Sequence, residues 1–412
     1  LKETGIATDR PAHDGEVAAD GLGVSSIVDD VTGADAHAPS APEATPRSPI
    51  VWGEVVRWAL MGTLLLVLLV LVDVNRNGGN NPVSLIQPGT DGSASELFTQ
   101  DFPDLEQPDA DGLDGQIYYA IARDPIHLDE TSQYLDHPRY RFQRPLLPVA
   151  AWLLHPTGGG LPLVGALVLV SLAGIVIAAV AAGGLSMALR GPAWMAAVIP
   201  LLPGAYWSLR VTVSDTLALG LALAAILLAV RGRSGWAVLV GCLAVLAKEP
   251  AILLLLGWSI SRRTKRDALL TVVPAVVIVA WMGWLALQLP PDLPRSQDIG
   301  PPVAGLVQAW TDVWSGGDEL IGMASTVTGL VIGVAALAVR RLRHPLGWMI
   351  LVQLGFMAVM GMNPLGTNFG GTRMAMPLVV VSLLALVTPR AAEALALAPA
   401  PAPATAPDSA LA

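Results

Sequence analysis

Long apolar runs separated by short polar turns fill the chain from about residue 55 to residue 389. The runs are continuous rather than alternating, which is the pattern of helices apolar on all sides and not of membrane-barrel strands. A helix that crosses a bilayer needs about 20 apolar residues. The pattern predicts spans over 55–72, 161–189, 193–209, 214–230, 235–247, 250–261, 268–289, 319–339, 346–362 and 374–389. Two of these, 235–247 and 250–261, are short and are separated by Lys248, Glu249 and Pro250. They read either as one kinked span or as two short helices with a charged turn.

Basic residues decide between these readings. They cluster at Arg190, 231–233, 262–266, 340–344 and Arg390. Cytoplasmic loops carry the excess of Lys and Arg in membrane proteins. Placing 231–233 and 262–266 on one side requires an even number of crossings between them, which selects two short helices. The expected fold class is an all-α polytopic membrane protein of about ten transmembrane helices. It would lie in a plasma or inner membrane with both termini cytoplasmic.

The polar segments fill in the domain plan. Residues 1–50, rich in Ala, Asp, Gly and Pro, show no sustained period and read as a disordered cytoplasmic N-terminus. No apolar core follows a basic start there, so the first span is expected to be an uncleaved signal anchor. A transmembrane domain covers 51–390 and contains a large first outer loop, 73–144. The loop is acidic in its middle and ends in the aromatic, basic stretch YLDHPRYRFQR. The apolar piece 145–155 is too short to span. It is expected to be a surface helix anchored by Trp152 at the membrane interface. Residues 391–412 form an Ala/Pro-rich tail expected to be disordered and cytoplasmic.

Composition agrees with this plan and excludes other classes. The chain is 53% hydrophobic and only 14% charged, against about 25% charged in soluble domains. An ordinary soluble enzyme is therefore excluded. A net charge of −9 leaves no global basic footprint for nucleic acid. The lone Cys242 can form neither an internal disulfide nor a cysteine-rich metal site.

Almost all the unusual polar residues fall on the outer side of this topology. In the first loop, Asp114-Gly115 reads as a turn opening a short helix from Gln116 to Ala122, with Tyr118 available for packing. Asp114 is either a helix cap or a general base at the membrane surface. Arg141 and Arg144 lie three residues apart before the surface helix. They are suited either to lipid-headgroup contact or to bidentate recognition of a lipid-linked phosphate. Ser214 or Asp215 caps the next span, or Asp215 is a site residue at the lipid edge. Lys248 and Glu249 form a mutual salt bridge, or Lys248 binds an anionic leaving group. Arg373 is expected at the start of the last span, and Arg210 is similarly placed in a short turn. The spacing of His127, His137 and His155 matches no metal pattern. Phosphate-loop, nucleophile-elbow, HExxH and CxxC motifs are absent from the sequence.

The order of these pieces resembles the GT-C superfamily of integral-membrane glycosyltransferases, in its bacterial cell-surface glycopolymer branch. The matching segments are DGQIYYAIARDP at 114–125, YRFQRPLLP at 140–148, SDTLAL at 214–219, AKEP at 247–250 and the Arg373 span start. The resemblance covers about 55–389. It implies transfer of a sugar from a polyprenyl-phosphate donor to a cell-envelope glycan or lipid acceptor, with inversion at the anomeric carbon. Asp114 would be the catalytic base, with Asp111 as the other candidate, because many relatives carry two adjacent acidic residues where this chain has Asp111 and Asp114. Arg141, Arg144, Lys248 and Arg373 would hold the donor phosphate. Tyr118, Asp215 and Glu249 are further site candidates. No cofactor is implied, and no divalent metal is expected to be required. No soluble C-terminal domain of the kind found in some relatives is expected, and acceptor recognition is then expected to fall to 73–144 and 290–318.

Two other readings remain open from the sequence. A non-catalytic cell-surface glycopolymer assembly protein would keep the fold without the activity. A lipid-linked sugar transporter would carry ionisable residues deep in its spans and repeat symmetry. The deep spans here are nearly free of charge, and no internal repeat is visible.

Overall fold

A computed structural model describes residues 49–292, 298–317 and 319–389. The expected disorder of 1–48 and of the tail 391–412, and the role given to Arg390, lie outside these residues. The described residues are all-helical, with a single isolated antiparallel bridge between Ile299 and Met360 and no strand.

The first long helix, α1 (Trp52–Asn77), leads into a loop region of short helices: α2 (Ser95–Asp101), α3 (Asp114–Arg123), α4 (Leu128–Ser132), α5 (Pro138–Arg141) and α6 (Leu146–Leu154). There follow α7 (Leu161–Ala188), α8 (Met195–Leu201), α9 (Pro203–Arg210), α10 (Asp215–Val230), α11 (Ser234–Ala247), α12 (Ala251–Arg262) and α13 (Lys265–Gln288). The chain closes with α14 (Ala304–Gln308), α15 (Leu320–Arg340), α16 (Gly347–Val359), α17 (Met362–Gly366) and α18 (Asn368–Val387). Five of these, α1, α7, α13, α15 and α18, are long and apolar enough to cross a membrane. Four more, α10, α11, α12 and α16, are apolar but shorter.

Two expectations are corrected, and the expected break between 235 and 261 is found. The helix expected over 193–209 is two helices. Leu202 adopts an extended backbone (ψ 140°) and Pro203 opens α9, because proline disfavours the helical conformation in the residue before it. The last helix begins at Asn368 rather than 374, with the Thr367 hydroxyl accepting the Gly370 N–H. Arg373 therefore sits inside a helix and not at its start. The chain between 235 and 261 is two helices, α11 and α12, joined at Lys248-Glu249-Pro250.

Contacts at the helix ends show how the bundle is strung. Lys248, after α11, meets Asp215 at the start of α10. Arg139 bonds to Leu289 and Asp292 just past α13. Glu319, before α15, accepts from Asn368 at the start of α18. At the other end, Arg340 bonds to Leu386 near the end of α18, and His344 meets Thr388. One end of the bundle thus carries the polar loops. The other carries 340–344 and, one helix length from the first, 231–233 and 262–266. Alternate helices run in opposite directions between the two ends.

Small residues let the central helices approach closely. A Cβ built on Gly174 of α7 would lie 2.8 Å from the Leu217 backbone of α10. One built on Gly220 of α10 would lie 2.7 Å from the Ala178 nitrogen of α7. In lipid no water-driven hydrophobic term pulls helices together, so such backbone contact is what holds a pair. The loop region is tied down separately. Phe98, Phe102 and Tyr119 cluster, with ring centroids 4.7–5.9 Å apart. The Tyr119 hydroxyl donates to Asp101 (2.7 Å) and accepts the Gly160 N–H (2.6 Å) at the threshold of α7. This fixes α3, and with it Asp114, over the bundle.

Candidate functional site

The polar end of the bundle encloses a cavity of about 780 Å³, walled by α3, the 140–144 segment, the Lys248 turn and the start of α18. Asp114, Arg141, Arg144, Lys248, Glu249 and Arg373 all line it. Six residues spread over 260 positions of sequence therefore meet in one place.

Asp114 is the first residue of α3 and its side chain caps nothing. The cap reading of this residue is thus corrected. Its carboxylate instead accepts from Arg141 Nη1 at 2.7 Å and stands 3.6 Å from Arg373 Nη2. Burial pushes this carboxyl upward, but the positive charges of Arg141 and Arg373 outweigh it and hold the pKa at about 2. Asp114 is a carboxylate at every physiological pH.

Each cation is oriented by a carboxylate. Arg141 grips Asp136 with two bonds of 2.7 Å while reaching Asp114 with its third nitrogen. Arg144 donates to Glu249 at 3.0–3.1 Å and to the Tyr140 hydroxyl at 2.8 Å, with its guanidinium 4.6 Å from the Tyr140 ring centre. Burial works against the charge on Arg144, and the Glu249 carboxylate more than offsets it. Lys248 donates to Asp215 Oδ1 at 2.6 Å. Arg373 donates to Asp215 Oδ2 at 2.9 Å and lies against the Phe369 ring. Neither Ser214 nor Asp215 caps α10 with its side chain. The mutual Lys248–Glu249 salt bridge is not formed: Lys248 pairs with Asp215 and Glu249 with Arg144.

The remaining candidates separate. Tyr118 is buried beside the network and bonds to Ser214 at 2.8 Å. Burial lifts its phenol to about 12, so it stays neutral. Asp111 is exposed and lies outside the cavity wall. Arg210 pairs with Asp73 and with the Ser84 carbonyl, away from the cavity. Asp124, His127 and Glu130 bring ligand-type atoms within 4.8 Å of one another on the exposed loop, apart from the cavity residues.

Sequence reasoning missed part of the wall. Asp298, Glu319, Asn363 and Asn368 line the cavity, with Trp207 and Phe369 as flat apolar faces. Glu319 was findable as an acidic residue beside the start of an apolar run. Asp298 lies in an irregular loop, Asn363 in α17 and Asn368 at the start of α18, in polar stretches where no period marks them. Four cations thus share the cavity wall with carboxylates, amides and aromatic rings. A set of this kind can hold a phosphate beside an ionised carboxylate and leave room for a polyhydroxylated group. No family model matches the chain, and neither a curated protein nor a solved structure matches it.

Proposed function

We propose that the chain is an integral-membrane glycosyltransferase that moves a sugar from a polyprenyl-phosphate donor to a cell-envelope glycan or lipid acceptor. The observation that carries this reading is the Asp114 carboxylate held beside Arg141 and Arg373 in a cavity also lined by Arg144 and Lys248. The helices would make ten membrane passes, with the basic end cytoplasmic and the cavity on the outer face.

In the proposed step, the acceptor hydroxyl attacks the anomeric carbon while its proton passes to Asp114. The bond from that carbon to the phosphate oxygen breaks on the opposite face, and its electron pair leaves with the phosphate. The sugar is inverted and the products are a glycoside and a polyprenyl phosphate. Charge grows on the leaving phosphate, and preorganised cations are worth most where charge develops. Arg141, Arg144, Lys248 and Arg373 supply them. An apolar recess of about 400 Å³ beside α18, lined by Leu202, Ile321, Ala324, Ala375, Met376 and Val379, suits a lipid tail. Asp298, Glu319 and Trp207 offer the carboxylates and flat face that sugars require.

The test uses purified protein in vesicles, a panel of radiolabelled polyprenyl-phosphate sugars and an envelope acceptor extract. Wild type is expected to transfer label, and Asp114→Asn to lose about 10²-fold or more. Equal transfer by both would remove Asp114 from the mechanism. Absence of transfer from every donor, with an acceptor extract active toward another transferase, would favour a non-catalytic assembly protein.

A further inference from the structure

The end of the bundle opposite the cavity carries a second charged recess. A groove of about 700 Å³ opens where the turn after α12 meets the turn after α15. Arg263, Arg341 and Arg343 line it together with Leu337, Leu342 and Trp348. All three arginines are exposed. Among the described residues none of the three is paired with a carboxylate: the neighbouring Asp267 is engaged by Arg262 at 3.7 Å, by Trp258 Nε1 and by the Thr264 hydroxyl. The contrast with the cavity is direct, since there every cation has its carboxylate.

The position of the groove narrows its ligand. It lies at the last residues of α15, an apolar helix of 21 residues, about 30 Å from the cavity end at 1.5 Å per residue. Charge and apolar wall therefore meet at the boundary between hydrocarbon and water, and Trp348 is a residue type that settles at that boundary. Orienting the chain in the membrane requires positive charge here but no groove. A groove lined by both guanidinium groups and Leu and Trp side chains matches a phosphate joined to an acyl chain.

We infer that Arg263, Arg341 and Arg343 form a binding site for the phosphate of an anionic phospholipid, whose first acyl carbons lie along Leu337, Leu342 and Trp348. The inference is independent of the sugar-transfer reading, because it uses none of the same residues.

The experiment follows lipid retention by native mass spectrometry of the delipidated full chain in detergent, offered phosphatidylglycerol or phosphatidylcholine. Wild type is expected to retain phosphatidylglycerol in preference. The triple variant Arg263→Gln, Arg341→Gln, Arg343→Gln is expected to lose that preference by about a hundredfold, at roughly fivefold per arginine. The control variant Arg231→Gln, Arg233→Gln removes charge from the same end and is expected to keep it. Equal loss in both variants would reduce the effect to general charge and overturn the site. Inorganic phosphate added alone is expected to leave retention unchanged; displacement by it would assign the groove to a soluble phosphate compound instead. A phosphatidylglycerol carrying a photoreactive group near its carbonyl tests the wild type without mutation. Labelling at 337–348 supports the site, and labelling elsewhere only overturns it.

Discussion

Arg373 Nη1 stands 2.9 Å from Asp215 Oδ2, joining two helices across 158 residues of sequence. The same guanidinium reaches toward Asp114. One side chain thus connects a carboxylate buried among the helices with the candidate catalytic carboxylate.

Asp215 is the shared anion of Lys248 and Arg373, and all three are buried. Asp215→Ala leaves the buried Lys248 without its carboxylate and leaves Arg373 with Asp114, at 3.6 Å, as its remaining acidic partner. Breaking such a group typically costs about 3–5 kcal/mol, so the variant is expected to unfold well below the wild-type temperature in detergent. A thermal midpoint equal to that of wild type would show that the network does not hold the bundle.

Arg141 uses three nitrogens, two for Asp136 and one for Asp114. A lysine ammonium is a single point of charge and cannot keep all three bonds. Arg141→Lys is expected to retain the fold and to lower transfer at least about tenfold, since the freed carboxylate moves from its hydroxyl partner. Unchanged kcat and KM would mean that Asp114 is positioned by other contacts.

The acid side of the pH profile follows from Asp114. Its folded pKa, about 2, lies below the ordinary value of 3.8. The stabilisation from this ion pair is therefore fully present above the ordinary value and is lost as pH falls through about 2. The expected kcat/KM shows no acid limb from Asp114 above pH of about 4, because this parameter reports the free enzyme. A half-maximal kcat/KM near pH 6 that moves with substitutions at Arg141 would contradict it.

Gly174 and Gly220 set the distance between α7 and α10. Gly174→Leu places a side chain where the Leu217 backbone already lies, and the two helices must separate. Overpacking of this kind costs about 1–3 kcal/mol, read as a lowered unfolding temperature with Asp114 untouched. Wild-type stability in this variant would mean that the pair packs through other residues.

Much of the bundle was legible because apolar runs and their basic ends are local features. Each run became a helix, and the even-crossing rule found the α11–α12 break. The helix expected over 193–209 was interrupted by Pro203, whose effect falls on Leu202 before it, and the last helix opens six residues earlier than expected, at the Thr367 cap. Site residues were legible as types but not as partners. Asp114, Arg141, Arg144, Lys248 and Arg373 were expected near one another and do converge. Their pairings were not, because consecutive residues such as Lys248 and Glu249 point apart at a tight turn. Arg210 carries the same local signal as Arg373, yet it is taken by Asp73. Only the third dimension separates these two.

Arg141, Arg144, Lys248 and Arg373 are matched one for one by Asp114, Asp136, Asp215 and Glu249. This ion-pair network therefore holds as many negative as positive groups, with no surplus positive charge waiting for an anion, and Asp298 and Glu319 add further carboxylates to the cavity wall. An arriving phosphate must trade places with a carboxylate, as a counter-ion does on an exchange resin. Under the proposed reaction, loading the donor would draw Arg373 and Lys248 toward the phosphate while Arg141 keeps Asp114 in place for the acceptor. After transfer the displaced carboxylates compete for the same cations and help expel the more highly charged product. A cavity that is complete when empty is thus built for turnover rather than for tight capture.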